Sequence, residues 1–155
     1  MAPKSAAAVK PATIQSASVT AKDIMQRPAI AATPRASLRD LAAQLVSNQF
    51  SGMPVVDADG KVIGVVTESD IVRVLIAGKH LENLTAAEVM TSPAISVDVD
   101  TPLDDVTKIM QVENHMMRVP VTNQDKLVGI ISRRDVIRAI LEPEFIAFGS
   151  FPTRW

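Results

Sequence analysis

Gly64-Val65-Val66-Thr67-Glu68-Ser69-Asp70-Ile71-Val72-Arg73 decides the fold, because the chain repeats it 65 positions later as Gly129-Ile130-Ile131-Ser132-Arg133-Arg134-Asp135-Val136-Ile137-Arg138. Three of the ten aligned positions are identical and five exchange like for like; only Glu68-Ser69 against Arg133-Arg134 changes character. In both copies an apolar run ends, a hydroxyl and an aspartate follow three apart, and a helical pattern begins. Each therefore reads as a strand running into a capped helix.

Working outward, Thr20 to Ile30 (TAKDIMQRPAI) aligns without a gap on Thr85 to Ile95 (TAAEVMTSPAI), with six of eleven positions identical. Between these anchors Met53-Pro54-Val55-Val56 answers Val119-Pro120-Val121-Thr122. A repeat of this length marks one structural unit written twice. A unit of about 60 residues buries too little surface to stand alone, so the copies are expected to pack together. The reading divides the chain into a flexible tail (1–18), a first repeat (19–79), a second repeat (80–142) and an aromatic tail (143–155).

Composition narrows the function classes. Apolar residues make up 47% and charged ones 21%, which suits a globular core. The net charge of -1 with dispersed basic residues leaves no footprint for nucleic acid. There is no cysteine, so disulfides and thiolate metal sites are excluded and a cytoplasmic location is expected. His80 and His115 alone do not make a zinc site. No apolar run approaches the roughly 18 residues that span a bilayer. Met1 to Ser18, rich in Ala, Ser, Pro and Lys, reads as a flexible tail, with a transit peptide as the alternative.

Within each copy the elements follow from local signals. Thr20-Ala21-Lys22-Asp23 and Thr85-Ala86-Ala87-Glu88 have capping-box spacing and open short helices. Pro28 and Pro93 force extended chain, predicting strands Ala29 to Ala32 and Ala94 to Val97. Leu38, Leu41, Ala42 and Leu45 form one helical stripe; Leu103, Val106 and Met110 repeat it, with Thr101 as the expected cap, Pro102 as first helical residue and Asp104 completing the box. Strands entered through Pro54 and Pro120 turn at Asp57 to Gly60 and at Asn123 to Lys126, and return as hairpins. The last helices are predicted over Ser69 to Ala77, stopped by Gly78, and over Arg134 to Leu141, stopped before Pro143.

That order, with a Pro-Val strand and a Gly-x-x-Thr/Ser-x-x-Asp turn in each copy, resembles the cystathionine beta-synthase (CBS) domain as a tandem pair. The resemblance covers Thr20 to Leu141. It implies an α+β fold, sandwich-like, of two CBS repeats related by pseudo-twofold symmetry, each a small, mostly antiparallel sheet packed by helices. It also implies clefts between the copies that bind adenine nucleotides (AMP, ADP, ATP) or S-adenosyl compounds, pairing into a homodimer, and regulation of a protein partner, with no cofactor required.

Two readings stand for Thr67 with Asp70 and for Ser132 with Asp135. Each pair is a helix cap by spacing; by resemblance each aspartate also accepts from ribose hydroxyls, with the hydroxyl residue near sugar or phosphate. Arg133 and Arg134, two forked donors at a helix start, suit phosphate oxygens or else face solvent or pair with Glu142 or Asp104. Glu68 and Ser69 in the first copy would repel phosphate there. By resemblance Arg118, where the first copy has Gly52, is a third phosphate candidate. His115 reads as packing or as ring stacking. Purine walls are expected from Ile30, Ala32, Met53, Pro54 and Val55 in the first cleft, and from Ile95, Val97, Val119, Pro120 and Val121 in the second; every one of these also reads as plain core. Phe145, Phe148, Phe151 and Trp155 cluster within eleven residues, to dock on the module or clamp a partner.

Three functions follow. The first is a regulatory nucleotide-binding module. The second is a structural or interaction module with vestigial clefts. An enzyme is the third, and it lacks any recognisable nucleophile and base constellation.

Overall fold

The pairs Thr20/Asp23, Thr67/Asp70, Thr85/Glu88 and Ser132/Asp135 each start a helix in the computed structural model, which describes residues 19–113 and 116–148. Asp23 accepts from the Thr20 N–H at 2.8 Å and from its hydroxyl at 3.1 Å, opening α1 (Ala21–Ile24). Glu88 does the same for Thr85, at 2.8 and 3.0 Å, opening α4 (Ala86–Val89). These donors hold both carboxyls below their ordinary pKa, because a hydrogen-bonded carboxylate is the favoured form.

The apolar stripes become α2 (Leu38–Asn48), burying Leu38, Leu41 and Leu45, and α5 (Leu103–Thr107), burying Leu103 and Val106. A π-helical stretch, Lys108–Glu113, continues α5 and carries buried Met110. The expected Thr101 cap is corrected: the cap position falls on Pro102, and α5 begins at Leu103. The Leu103 N–H donates to the Val19 carbonyl at 3.0 Å, so backbone from the other copy satisfies a helix-start donor.

β1 (Gly52–Val56) pairs antiparallel with β2 (Val62–Thr67), and β4 (Arg118–Asn123) with β5 (Lys126–Ser132). β3 (Val97–Asp98) adds to β4 in parallel, while in the first copy only Ala32 bridges to Val55. The predicted strands Ala29 to Ala32 and Ala94 to Val97 therefore shrink, and proline explains why. Ala32 donates to the Pro54 carbonyl and accepts from Val56, both at 2.9 Å. The next step of a parallel ladder would need an N–H from residue 54 to reach Ile30, and from residue 120 to reach Ile95; both are proline.

Helix α3 (Glu68–Ile76) ends before Gly78, whose φ of +71° suits a helix stop. The last helix, α6 (Arg133–Phe148), is longer than expected and runs through Pro143. Proline already has a helical φ, and here it forgoes one donation, to the carbonyl of residue 139 near the exposed Ile140. Residues 1–18, His115 and the segment carrying Phe151 and Trp155 lie outside the described residues, as do the side chains of Phe145 and Phe148. No helix among the described residues is long and apolar enough to cross a membrane.

The two hydrophobic cores exchange segments. One combines Leu38, Leu41, Leu45, Met53, Val55, Val66 and Ile71 with Ala86, Leu84, Val89 and Met90 from the start of the second copy. The other combines Leu103, Val106, Met110, Val119, Val121 and Ile131 with Ala21, Val19, Ile24 and Met25 from the start of the first. The backbone repeats the exchange: Ala86 donates to Ala36 and Ala21 to Thr101, each at 2.9 Å. Gly64 and Gly129 make room for it. A Cβ there would lie 2.5 Å from the sulfur of Met90 or Met25, so only glycine lets the exchanged methionine pack on the strand.

Candidate functional site

The two hairpins face each other across a cleft of about 380 Å³. Its walls pair equivalent positions of the repeat: Pro54 with Pro120, Val65 with Ile130, Gly52 with Arg118, Ser51 with Met117. Met53, Thr67, Glu68 and Ser69 add to the side of the first copy, and Met116 to the side of the second. The lining is apolar with a few hydroxyls, one carboxylate and one guanidinium, the composition of a small-molecule site.

Arg118 is the sharpest feature. Its guanidinium stacks over the Phe50 ring, 4.3 Å from the centroid. Its Nε is buried and makes no hydrogen bond among the described residues. Burial lowers the pKa of this group and the Asp135 carboxylate opposes that shift, yet an arginine keeps its charge at any ordinary pH. An unsatisfied donor on a half-buried cation calls for an anionic acceptor.

The aspartates serve the helix caps. Asp70, 5% exposed, takes the Thr67 N–H and hydroxyl on Oδ2 at 2.8 and 3.0 Å, and Arg73 on Oδ1 at 3.0 Å. Asp135, 2% exposed, takes the Ser132 N–H and hydroxyl on Oδ2, both at 2.7 Å. Its Oδ1 accepts from Gln26 at 2.7 Å and faces Arg138 at 3.6 Å. Every carboxylate oxygen of the two caps thus already has a protein partner.

Of the candidate residues, Met53, Pro54, Thr67, Arg118 and Pro120 line this cleft together. Arg118 and Pro120, expected in the second cleft, face the one that holds Thr67. Ala32, Val55, Val97, Val119 and Val121 are buried in the two cores. Ile30 and Ile95 stand about 40% exposed, at 40% and 41%. Arg133 donates from Nε to the Met116 carbonyl at 3.1 Å and from its N–H to Met117 at 3.2 Å, bracing the cleft wall, and Arg134 is exposed.

The sequence reading missed Phe50 and Gln26. Phe50 carried a signal: it is the one phenylalanine outside the C-terminal cluster, just ahead of a proline strand. Gln26 carried none, since its partner lies 109 residues away and the other copy has Thr91 at that place.

The CBS domain model matches residues 21–77 and 86–142. An uncharacterized protein of Methanopyrus kandleri is 26% identical over 132 residues, covering 84% of this chain and 66% of that protein. The L-aspartate semialdehyde sulfurtransferase of Methanocaldococcus jannaschii is 33% identical over 118 residues, covering 76% of this chain and 22% of the enzyme. The chain therefore spans less than two thirds of the length of either relative. Two solved structures are similar over most of this chain. CBSX2 in complex with AMP has a TM-score of 0.72 at 27% identity, covering 81% of this chain and 98% of that one. The CBS domain pair of protein MJ0100, in complex with 5-methylthioadenosine and S-adenosyl-L-methionine, has a TM-score of 0.71 at 31% identity, with the same coverage of 81% and 98%.

Proposed function

The chain belongs to the CBS domain family as a tandem pair, and from that premise we propose that it is a regulatory module binding an adenosine compound in the cleft between the copies. Arg118 carries the reading: a stacked, half-buried guanidinium with an unsatisfied Nε beside an apolar slot. In this reading Pro54, Met53, Val65, Pro120 and Ile130 enclose the purine, the hydroxyls of Thr67 and Ser69 lie toward the sugar, and Arg118 takes the phosphate. Asp70 would receive ribose hydroxyls once Arg73, whose side chain is 74% exposed, swings away. Ile30, Ala32 and Val55 then back the slot from behind. A second site built on Ile95, Val97, Val119, Val121, Ser132, Arg133, Arg134 and Asp135 is the counterpart in the other copy. The AMP of CBSX2 and the adenosine compounds of the MJ0100 pair support the ligand class.

Thermal unfolding with millimolar AMP, ADP, ATP, S-adenosylmethionine and NAD tests the proposal. A ligand at about 100 times its Kd stabilises by roughly 2.7 kcal/mol, which here is a rise of about 5 to 10 °C. No shift with any of the five would reject it. The interaction module with vestigial clefts would then stand, a reading favoured by the protein partners already on every cap oxygen.

We propose also that a second copy covers the apolar stripe Val72, Leu75 and Ile76 of α3 and its repeat equivalents Ile137 and Ile140 of α6. These residues are 52%, 53%, 82%, 55% and 39% exposed, and the same stripe recurs on both copies. A face that repeats with the pseudo-dyad suits an isologous contact. Leu75→Lys is expected to shift a dimer to monomer in sedimentation equilibrium; a wild type that is monomeric at high concentration refutes the contact. Regulation of a protein partner would follow from ligand-dependent change in that pairing, in the reducing cytoplasm that a cysteine-free chain permits.

A further inference from the structure

Building on the nucleotide reading above, we infer that Glu68 determines how many phosphates this cleft accepts. The described cleft lining holds one cation, Arg118, and one anion, Glu68. Glu68 is the first residue of α3, between Thr67 and Ser69, which share the same wall. Its backbone N–H donates to the Ser51 carbonyl at 2.9 Å, tying it to the neighbouring cleft residue. Its carboxylate makes no hydrogen bond or ion pair among the described residues, so its charge is not offset by a protein cation.

The charge count then sets selectivity. A single phosphate brings about -1.5 to -2 charges at neutral pH, and Arg118 faces that charge with one guanidinium. A second and third phosphate add charge where, among the described lining residues, the further ionic group is a carboxylate. A helix start would otherwise attract an anion, but here Glu68 occupies that end of α3. The equivalent place in the other copy is Arg133-Arg134, which shows that the repeat tolerates either sign at this turn. The cleft of Glu68 thus suits a nucleoside monophosphate, or an adenosine compound whose tail is neutral or cationic, and disfavours a triphosphate.

The test is titration calorimetry of the full chain with AMP and ATP in magnesium-free buffer, on the wild type, Glu68→Gln and Glu68→Lys. Glu68→Gln is expected to raise the ATP affinity relative to AMP by roughly three- to tenfold, the scale of one partly screened charge contact. Glu68→Lys should raise it further. A two-site fit separates this cleft from the Arg133-Arg134 side, which the variants leave unchanged, and the ratio is read for this cleft alone. The same ATP-to-AMP ratio in all three proteins overturns the inference while leaving the nucleotide reading intact. So does loss of AMP binding in a Glu68→Gln protein that melts like the wild type, because Glu68 would then be a direct ligand contact. Failure of the wild type to bind either nucleotide rejects the nucleotide reading itself, and this inference with it.

Discussion

Arg118→Met is expected to weaken AMP binding by roughly 10- to 100-fold, the loss of one or two charge-assisted hydrogen bonds, while the unliganded protein melts at the same temperature or higher. The two effects separate because they rest on different physics. In the free protein the guanidinium is half-buried, its Nε has no acceptor among the described residues, and its main compensation is the stack on Phe50. Such a stack contributes about 0.5 to 2 kcal/mol, and an unsatisfied buried donor costs a similar amount, about 1 to 3 kcal/mol. A methionine fills the volume without needing an acceptor. With a phosphate bound, the balance reverses, since the Nε gains the partner it lacks. Calorimetry with AMP and with adenosine, alongside a melting curve, reads both parts. A loss of affinity of the same size for adenosine would mean that Arg118 shapes the wall rather than holding a phosphate.

Asp135→Ala should lower the free energy of unfolding by about 2 to 4 kcal/mol, above the roughly 1 kcal/mol of an ordinary cap. The carboxylate is buried and takes three donors at 2.7 Å, one of them from Gln26 at the far end of the chain. Removing it orphans the Ser132 N–H and unties α6 from the exchanged first segment. Asp70 has the same cap and its own arginine, but no counterpart of Gln26, so Asp70→Ala is expected to cost less. Urea unfolding of both variants, with Gln26→Met in a double-mutant cycle against Asp135→Ala, measures the long-range part directly. A cap-sized loss for Asp135→Ala, with no coupling to Gln26, would show that the link contributes little.

The repeat, the helices and the hairpins were legible in the residues because their causes are local. A hydroxyl and an acid three apart cap a helix through neighbouring atoms alone, as Thr20 with Asp23 and Thr67 with Asp70 do, and a stripe at helical spacing buries itself. The resemblance to a CBS pair rested on that local grammar written twice. Where local rules competed, they misjudged the outcome: Pro143 did not stop α6, and Thr101 did not cap α5 because Val19 supplied the acceptor.

What the tertiary structure alone decided is how the copies meet. The repeat by itself predicts that the copies pack together but not that they exchange segments, as they do where Ala21 packs with Leu103 and Ala86 with Leu38. That exchange puts Gln26 on Asp135, Phe50 under Arg118, and Arg118 in the cleft of Thr67. These contacts span 51 to 109 positions, and no neighbouring residue announces them. They arise because neither copy can bury its apolar face alone, so the lowest free energy belongs to the docked pair, and the docking, not the local sequence, chooses which side chains share the site.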